Sequence, residues 1–285
     1  MRAVSDQTIM ITGATDGIGI LTAHALAGKN ATLLVHGRDP TRLADTVASI
    51  QASSGNADVH GFLADFADLA SVRQMAAEIG NSHSSIDVLI NNAGIGSGGM
   101  ENRERALSRQ GHELRFAVNF LAPFLLTHLL LPCLARAGTA RIVNVASAGQ
   151  HPIGFSDVML ARDFSGRRAY GQSKLALIMF TFELAEKLAS KAITVNCHHP
   201  GSLLDTKMVR ETFGEPWGKP ETGAEAQVYL ATAPELANTT GRYFDVMAEA
   251  TANPQAYDAE ARRQLWALAE RLTSAADPGH SEDAS

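Results

Sequence analysis

The stretch Thr8-Ile9-Met10-Ile11-Thr12-Gly13-Ala14-Thr15-Asp16-Gly17-Ile18-Gly19 decides the fold. It begins with an apolar, β-branched run, and the residues from Gly17 onward carry apolar side chains at helical spacing. The glycines between permit a tight turn and a close approach of the backbone to a pyrophosphate, which a helix N-terminus attracts. Three-glycine loops also match by chance, so a plain strand-to-helix turn is the alternative. The stretch predicts strand, turn and helix, with the turn as a candidate phosphate cradle.

Strand-like and helix-like segments alternate along the rest of the chain. Strands are predicted at residues 31–35, 59–63, 86–90, 140–145 and 192–197, and helices at 17–28, 39–51, 69–79, about 111–136, 169–190 and about 254–272. Continuous apolar strands separated by helices are typical of a parallel sheet covered on both faces. We therefore expect an α/β fold: a single Rossmann-type doubly wound parallel sheet with helices on both faces. One domain is predicted over residues 1–274, with a disordered acidic tail over 275–285.

Composition limits the classes of partner. The chain has 285 residues, 45% hydrophobic and 19% charged, which is typical of a soluble globular protein. No apolar run approaches the roughly 18 residues of a membrane span, and the N-terminus lacks the apolar stretch of a signal peptide. The net charge of −6 disfavours nucleic acid as a partner. Cys133 and Cys197 lack metal-ligand spacing and are expected to be buried thiols, so we expect a cytoplasmic protein without stable membrane insertion.

The end of the second predicted strand bears on cofactor choice, because ligands of doubly wound sheets bind beyond the carboxyl ends of the strands. A carboxylate there would suit a free ribose 2′-hydroxyl, but the sequence has Gly37 followed by Arg38. A guanidinium suits a 2′-phosphate, so NADP(H) is preferred, with NAD(H) as the alternative. Arg38 as a solvated surface charge is the competing interpretation. After the third strand, Asp65 is expected either to accept a hydrogen bond from adenine or to cap the following turn.

The fourth strand ends in Asn91-Asn92-Ala93-Gly94. Small residues at this point let backbone groups approach an adenine ribose, while the asparagines tie neighbouring strands together. For Asn91 we expect a structural role.

Candidate catalytic residues follow the strand at 140–145. Ser147 comes directly after it, and Tyr170-Gly171-Gln172-Ser173-Lys174 opens a helix 23 residues later. Tyr and Lys four residues apart share one face of a helix. The motif alone is only moderately specific, and the order of all the motifs carries more weight.

The motifs and their order along the chain resemble the short-chain dehydrogenase/reductase family. These motifs are Thr12-Gly13 with Gly17-Ile18-Gly19, Asn91-Asn92-Ala93-Gly94, Asn119, Ser147, Tyr170 with Lys174, and Pro200-Gly201. The resemblance covers nearly the whole chain. Three further segments resemble the retinol-dehydrogenase-like branch of this family, which includes WW-domain oxidoreductases. They are Gly111-His112-Glu113-Leu114 through Leu121, Gly241-Arg242-Tyr243-Phe244 and Arg262-Arg263-Gln264-Leu265-Trp266.

The resemblance implies a nicotinamide-dependent enzyme and a role for each catalytic residue. Tyr170 would be the general acid or base, and Lys174 would lower the pKa of the tyrosine and bind the nicotinamide ribose. Ser147 would bond the substrate oxygen, and Asn119 would hold a water that links Lys174 to solvent. The candidate cofactor contacts are Gly13, Thr15, Asp16, Gly17, Ile18, Gly19, Arg38, Asp65, Asn92, Ala93, Gly94, Tyr170, Lys174, Pro200, Gly201 and Thr206.

Two spacings depart from the family pattern. The interval from Ser147 to Tyr170 is longer than the family's usual one, and its polar, flexible residues are expected to form part of the substrate rim. Thr206, which would touch the nicotinamide carboxamide, comes one residue later than usual after Pro200-Gly201. The neighbouring His198 and His199 point opposite ways on an extended segment, so no metal is expected.

Residues 202–219, which we name the lid segment, are rich in glycine and proline and are expected to form a loop-rich cover over the substrate. Their apolar side chains suit an apolar substrate or ordinary packing against the last helices. The leading hypothesis is an NADP(H)-dependent oxidoreductase that interconverts a carbonyl and an alcohol on a lipophilic small molecule. The alternatives are a reductase of carbon–carbon double bonds and a catalytically silent cofactor-binding scaffold.

Family members commonly dimerise or tetramerise through the helices at 114–136 and 169–190. The additional C-terminal helix could obstruct that surface. A homodimer, a homotetramer and a monomer all remain open.

Overall fold

The computed structural model describes residues 2–99 and 102–274, which form one eight-stranded sheet flanked by helices. The strands are β1 (Thr8–Ile11), β2 (Thr32–Gly37), β3 (Val59–Leu63), β4 (Val88–Asn91), β5 (Ala140–Val145), β6 (Ile193–His199), β7 (Arg242–Asp245) and β8 (Ala248–Ala250). Their spatial order is β3-β2-β1-β4-β5-β6-β7-β8. All neighbours pair in parallel except β7 and β8, which are antiparallel. The strand order reverses between β1 and β4, where sheets of this type bind ligands, and the predicted fold class is confirmed.

The helices are α1 (Gly17–Ala27), α2 (Pro40–Ser54), α3 (Leu69–Ser82), α4 (Leu114–Phe116), α5 (Ala122–Arg136), α6 (Gly166–Lys187), α7 (Lys207–Phe213), α8 (Pro220–Thr232) and α9 (Ala259–Ser274). A π-helical turn, Ala117–Leu121, joins α4 to α5. Helices α1, α2 and α8 pack on one face of the sheet, and α3, α5, α6 and α9 pack on the other. The sheet is therefore covered on both sides, which explains its uninterrupted apolar strands.

Several helices begin at a capping side chain close to the carboxyl end of a strand. Asp16, Asp39 and Asp68 each accept a hydrogen bond from a backbone N–H in the first turn of α1, α2 and α3. Ser165 does the same for α6. Such caps contribute about 0.5–2 kcal/mol each, and they fix where the loops that border the site end.

The late part of the chain differs most from the expectations. The predicted helix at 169–190 begins earlier, at Gly166, and the strand at 192–197 continues to His199. Helix α7 lies inside the lid segment. Helix α8 and strands β7 and β8 were not predicted. Strand β8 is short and largely exposed, and it lacks an apolar pattern. The tail predicted over 275–285 lies outside the described residues.

One expectation about apolar segments is wrong. By length and composition, the continuous helix Leu114–Arg136 is apolar enough to cross a membrane, with a mean hydropathy of 1.8 over its best window. In the fold, 78% of that window is buried, and the helix packs against α3 and β5. Most of the apolar surface of this helix is therefore buried in the core of the protein.

Candidate active site

The loop between β1 and α1 is closed tightly enough to require glycine at two positions. Gly13 has a φ of +65°, and a Cβ on it would lie 2.8 Å from the Cα of Ala93. A Cβ on Gly19 would lie 2.3 Å from the carbonyl oxygen of Gly13. The loop therefore presses against the segment after β4, and the N-terminus of α1 at Gly17 and Ile18 opens toward the carboxyl edge of the sheet. This is the concave backbone that a pyrophosphate needs.

His36, at the end of β2, supports this loop, a role that no sequence motif indicates. Its Nδ1 accepts a hydrogen bond from the backbone N–H of Gly13 at 3.1 Å, and its Nε2 donates to the carbonyl of Ala64 at 3.0 Å. These two bonds require the neutral imidazole with hydrogen on Nε2. Burial lowers the pKa of His36 to about 4, which keeps that form at neutral pH.

The segment after β4 is tied to the same loop. The Thr12 hydroxyl accepts hydrogen bonds from the N–H groups of Asn92 and Ala93, both at 2.9 Å. Asn92 donates its side-chain amide to the carbonyls of Thr12 and Gly13 and accepts from Gln227. Because the Asn92 amide is fully engaged, a cofactor contact at this residue would come from its backbone.

Asn91 has the structural role that the sequence predicts. Its amide donates to Asn144 on β5 at 2.8 Å and to Thr127 on α5 at 3.1 Å. It therefore links two strands and a helix beneath the site.

The end of β2 has no room for a carboxylate. A Cβ on Gly37 would lie 2.6 Å from the Cγ2 of Thr15, so a side chain there would collide with the loop after β1. Arg38 follows and is exposed. Arg42, which no sequence motif indicates, donates to the carbonyl of Thr15 at 3.1 Å and to the carboxylate of Asp16 at 3.0 Å. Two guanidinium groups therefore belong to this end of the site.

Asp65 caps a turn, one of the two roles expected for it. Its Oδ1 accepts from the N–H of Ala67 at 2.9 Å, and its own N–H donates to Ser71. Its side chain remains exposed next to the end of β3.

Tyr170 and Lys174 lie one turn apart on α6, as predicted, with the ammonium nitrogen 5.9 Å from the centroid of the phenol ring. Lys174 is 4% exposed and donates to the carbonyl of Val145 at 2.8 Å. Burial lowers the pKa of Lys174 to about 8. Burial also raises the pKa of Tyr170, while a hydrogen bond with the Ser147 side chain opposes that rise.

Ser147 follows β5 and is buried. Its Oγ accepts a hydrogen bond from the N–H of Gly149 at 3.0 Å. That contact occupies a lone pair, so the single hydroxyl hydrogen is available either to Tyr170 or to a substrate oxygen.

Asn119 occupies the π-helical turn and is fully buried. Its Oδ1 accepts from the N–H of Ile95, and its Nδ2 donates to the carbonyl of Ile95 and to the hydroxyl of Ser173. A Cβ on Gly94 would lie 3.2 Å from the Asn119 Oδ1 and 3.4 Å from the Lys174 Nζ. Asn119 and Lys174 thus both border the segment after β4, and π-helical turns of this kind often mark functional sites.

The lid segment lies against the loop after β1 and against the segment after β4. Thr206 caps α7, and its Cγ2 is 3.4 Å from where a Cβ on Gly17 would lie. Met208 packs against Gly96, and Leu204 is buried, whereas Trp217 is 84% exposed and does not pack on the last helices.

Pro200 and Gly201 connect β6 to the lid segment. The two preceding histidines differ in their contacts. His199 has Ser202 within hydrogen-bond distance of its Nε2, at 3.1 Å, while neither ring nitrogen of His198 has a partner in the part of the chain that the structure describes. Within residues 2–99 and 102–274 no three His, Cys, Asp or Glu residues are grouped so that they could hold a metal ion.

A doubly wound sheet with a glycine cradle at its switch point and a Tyr–Lys pair beside a serine defines an NAD(P)-dependent oxidoreductase. The family model described as "short chain dehydrogenase" matches residues 7–216. This chain belongs to that family.

Curated relatives agree with this assignment. Human retinol dehydrogenase 13 is 34% identical over 98% of this chain and 88% of its own length. Mouse polyprenol dehydrogenase is 38% identical over 93% of this chain and 83% of its own. These similarities confirm the retinol-dehydrogenase-like branch.

Solved structures have the same fold. A protein of Mycobacterium paratuberculosis is 31% identical, with a TM-score of 0.79 and 96% coverage of both chains. A short chain dehydrogenase of Escherichia coli CFT073, complexed with NADPH, is 26% identical, with a TM-score of 0.70 over 85% of this chain and 96% of its own.

Proposed function

We propose that this protein is an NADP(H)-dependent oxidoreductase that interconverts a carbonyl and an alcohol on a lipophilic small molecule. The observation that carries the proposal is the grouping of Ser147, Tyr170 and Lys174 around the carboxyl end of β5, with Asn119 on the adjoining π-helical turn. A cofactor-binding scaffold has no chemical need for all four side chains.

Tyr170 exchanges the proton. A phenol with the usual pKa of about 10 releases its proton too rarely near neutrality, and burial raises the pKa of Tyr170 further. The ammonium of Lys174 on the same helix face favours the phenolate, and so does the Ser147 hydroxyl. These neighbours bring the phenol closer to the range in which it can serve as acid and base.

Ser147 and Asn119 complete the arrangement. With the Gly149 N–H on its Oγ, the Ser147 hydroxyl donates to the substrate oxygen and orients it beside Tyr170. Asn119 borders Gly94, as Lys174 does, and would hold the water through which a proton returns from solvent. When bound, the reduced nicotinamide supplies the hydride that a carbonyl carbon accepts, and the proton from Tyr170 completes the alcohol.

The preference for the phosphorylated cofactor follows from the end of β2. Gly37 has no space for the carboxylate that would bond a free 2′-hydroxyl, and the exposed Arg38 supplies positive charge instead. A 2′-phosphate would pair with Arg38. The NADPH-bound relative from Escherichia coli is consistent with this choice.

The lipophilic substrate class rests on two observations. Relatives that align with nearly the whole chain are named for retinol and polyprenol, both lipophilic alcohols. The lid segment also contributes apolar side chains, among them Met208 beside the segment after β4.

The test is a fluorescence titration with NADPH and NADH, followed by turnover assays. The probes are all-trans-retinal, a polyprenal, an enone and glyceraldehyde as a polar control. We expect tighter binding of NADPH, alcohol products from the lipophilic aldehydes and little reaction with glyceraldehyde. Tyr170→Phe should lose about 10²- to 10⁴-fold in turnover while it binds NADPH normally.

Two results would contradict this assignment. Full activity in Tyr170→Phe would remove the proposed mechanism. A saturated carbonyl as the only product from the enone, with no alcohol from any aldehyde, would show that the protein reduces carbon–carbon double bonds.

A further inference from the structure

We propose that Tyr243, on strand β7, is a positioning residue of this site: with Gln150 it holds the backbone carbonyl of Ser147 and so fixes the direction of the Ser147 hydroxyl. The kinetic part of this inference rests on the proposed function. The structural part does not, since it concerns only how the chain orients its own serine. Tyr243 lies outside residues 7–216, the part of the chain that the family model matches.

Two donors converge on one carbonyl. The Tyr243 hydroxyl donates to the Ser147 carbonyl oxygen at 3.3 Å, and the Gln150 side-chain amide donates to the same oxygen at 3.1 Å. A carbonyl has two lone pairs, so this oxygen is saturated. Tyr243 is 4% exposed and is held in register opposite Cys197 of β6, which leaves its ring no freedom to follow a displaced serine.

The backbone around Ser147 has few other supports. The N–H of Ala146 donates to the carbonyl of His198 at 2.8 Å, which is the last sheet contact before the serine. Beyond it the chain turns, and the Ser147 Oγ accepts from the Gly149 N–H two residues on. The Ser147 carbonyl belongs to the peptide group that links Ser147 to Ala148, and the next peptide group along the turn carries the Gly149 N–H. Fixing the carbonyl therefore fixes the turn, and the turn fixes the hydroxyl.

The C-terminal segment reinforces the same loop, residues 148–153, at two points. The N–H of Asn253 donates to the Gln150 Oε1 at 2.7 Å. Gln255 pairs with both backbone groups of Ile153, accepting from its N–H at 2.7 Å and donating to its carbonyl at 3.1 Å. Tyr243 thus acts on the serine, whereas Gln255 acts on the part of the loop that runs toward the substrate rim.

These two supports predict different losses. Without the Tyr243 hydroxyl we expect the Ser147 hydroxyl to turn away from Tyr170, so that its lowering effect on the pKa of Tyr170 weakens. Lys174, on the same helix, remains the charged group that favours the phenolate. Without the Gln255 amide, the Ser147 hydroxyl keeps its direction, while the loop around Ile153, which runs toward the substrate rim, becomes more mobile.

The decisive variant is Tyr243→Phe, which removes one oxygen atom and keeps the ring. The chain has four tyrosines, so the titration of Tyr170 can be isolated as the difference in phenolate absorbance between each protein and its Tyr170→Phe counterpart. We expect the pKa of Tyr170 to rise by about half to one unit, the equivalent of one ordinary hydrogen bond. In retinol oxidation with NADP⁺ we expect kcat to fall about tenfold near neutral pH and its pH midpoint to move upward, with KM and cofactor affinity unchanged.

Matched controls separate positioning from general destabilisation. Tyr229→Phe removes a phenol oxygen from α8, on the opposite face of the sheet, and should change none of these quantities. Gln255→Ala should raise KM and leave the pKa of Tyr170 unchanged. If Tyr243→Phe does not fold, Gln150→Met removes the other donor to the same carbonyl and should produce the same shift.

An unchanged Tyr170 titration together with an unchanged kcat in Tyr243→Phe overturns the proposal. So does an equal loss in Tyr229→Phe. If the unaltered protein turns over no probe, the proposed function fails, and the phenolate titration, which needs no substrate, still decides whether Tyr243 positions the serine.

Discussion

The ammonium nitrogen of Lys174 lies 2.8 Å from the carbonyl oxygen of Val145, the last residue of β5 and the second before Ser147. This bond joins the helix that carries Tyr170 to the strand that leads to the serine. No carboxylate lies within 4.0 Å of the ammonium in the described residues, so a single carbonyl supports a buried charge. The site therefore holds Lys174 at the expense of stability.

The first prediction concerns this charge and pH. Burial places the folded-state pKa of Lys174 at about 8, below the usual value of 10.5, so between these values the unfolded chain binds more protons than the folded one. Stability should therefore rise with pH across this window. Urea unfolding at pH 7.5 and 9.5 measures the effect, and Lys174→Met should be more stable at pH 7.5 and should lack this rise. An identical pH dependence in both proteins would contradict the assignment.

The second prediction concerns cofactor choice. Arg38→Ala should weaken NADPH binding about 10- to 100-fold and leave NADH binding unchanged, because only NADPH carries the 2′-phosphate. Fluorescence titration of both cofactors measures the ratio. Arg271→Ala, a change of an exposed arginine on α9, is the matched control and should alter neither affinity. Equal losses of affinity for NADPH and NADH would show that Arg38 does not bind the 2′-phosphate.

The third prediction concerns a buried ion pair behind the site. Arg115 donates to the carbonyls of Gly96 and Ser97 and pairs with Glu113, whose side chain is 1% exposed. Arg115→Gln leaves that carboxylate buried without a cation, which should cost about 3 kcal/mol and lower the melting temperature by about 5–10 °C.

Its controls are a double variant and a surface pair. Adding Glu113→Gln to Arg115→Gln should recover part of the loss, because it removes the stranded charge. Arg263→Gln, in the exposed pair with Glu260, should leave the melting temperature unchanged. A fall as large in Arg263→Gln would argue against burial as the cause.

The fourth prediction concerns association. Helix α9 covers the outer faces of α5 and α6, with Trp266 packed on Phe124 and Phe180 and with Arg262 paired to Glu183. The resemblance to short-chain dehydrogenases implies association through the helices at 114–136 and 169–190, which is the face that α9 covers. We therefore expect a monomer of 30.3 kDa in size-exclusion chromatography with light scattering. A stable dimer that uses this face would require α9 to be displaced.

The sequence predicts the parts of the site that are encoded locally. The glycine loop, the asparagines after β4 and the Tyr–Lys pair are fixed by spacing within one turn or one helix, and the fold brings them to one edge of the sheet as expected. His36, Arg42 and Tyr243 were missed because their contacts join segments far apart in the chain, such as Tyr243 and Ser147. Hydrophobic periodicity shows which face of a strand is buried, but it does not show which strands are neighbours.

The last prediction compares two buried histidines that differ in their hydrogen bonds. His198 is fully buried on β6 between Val145 and Phe244, and within residues 2–99 and 102–274 neither of its ring nitrogens has a partner within hydrogen-bond distance and geometry. Burial lowers the pKa of His198 to about 3 and that of His36 to about 4, so both are neutral in the folded protein. Unlike His198, His36 uses both nitrogens, with Gly13 and Ala64.

The two leucine variants should therefore shift stability in opposite directions. His198→Leu removes unpaired polar atoms and should add about 1–2 kcal/mol to the free energy of unfolding, whereas His36→Leu breaks two bonds and should lower it. Both folded-state pKa values lie below the unfolded value of 6.5, so each neutral histidine makes the protein less stable as pH falls below 6.5. The gain in His198→Leu should accordingly grow from pH 7 to pH 5 in thermal or urea unfolding. A loss of stability in His198→Leu equal to that in His36→Leu would mean that water molecules satisfy the ring nitrogens of His198.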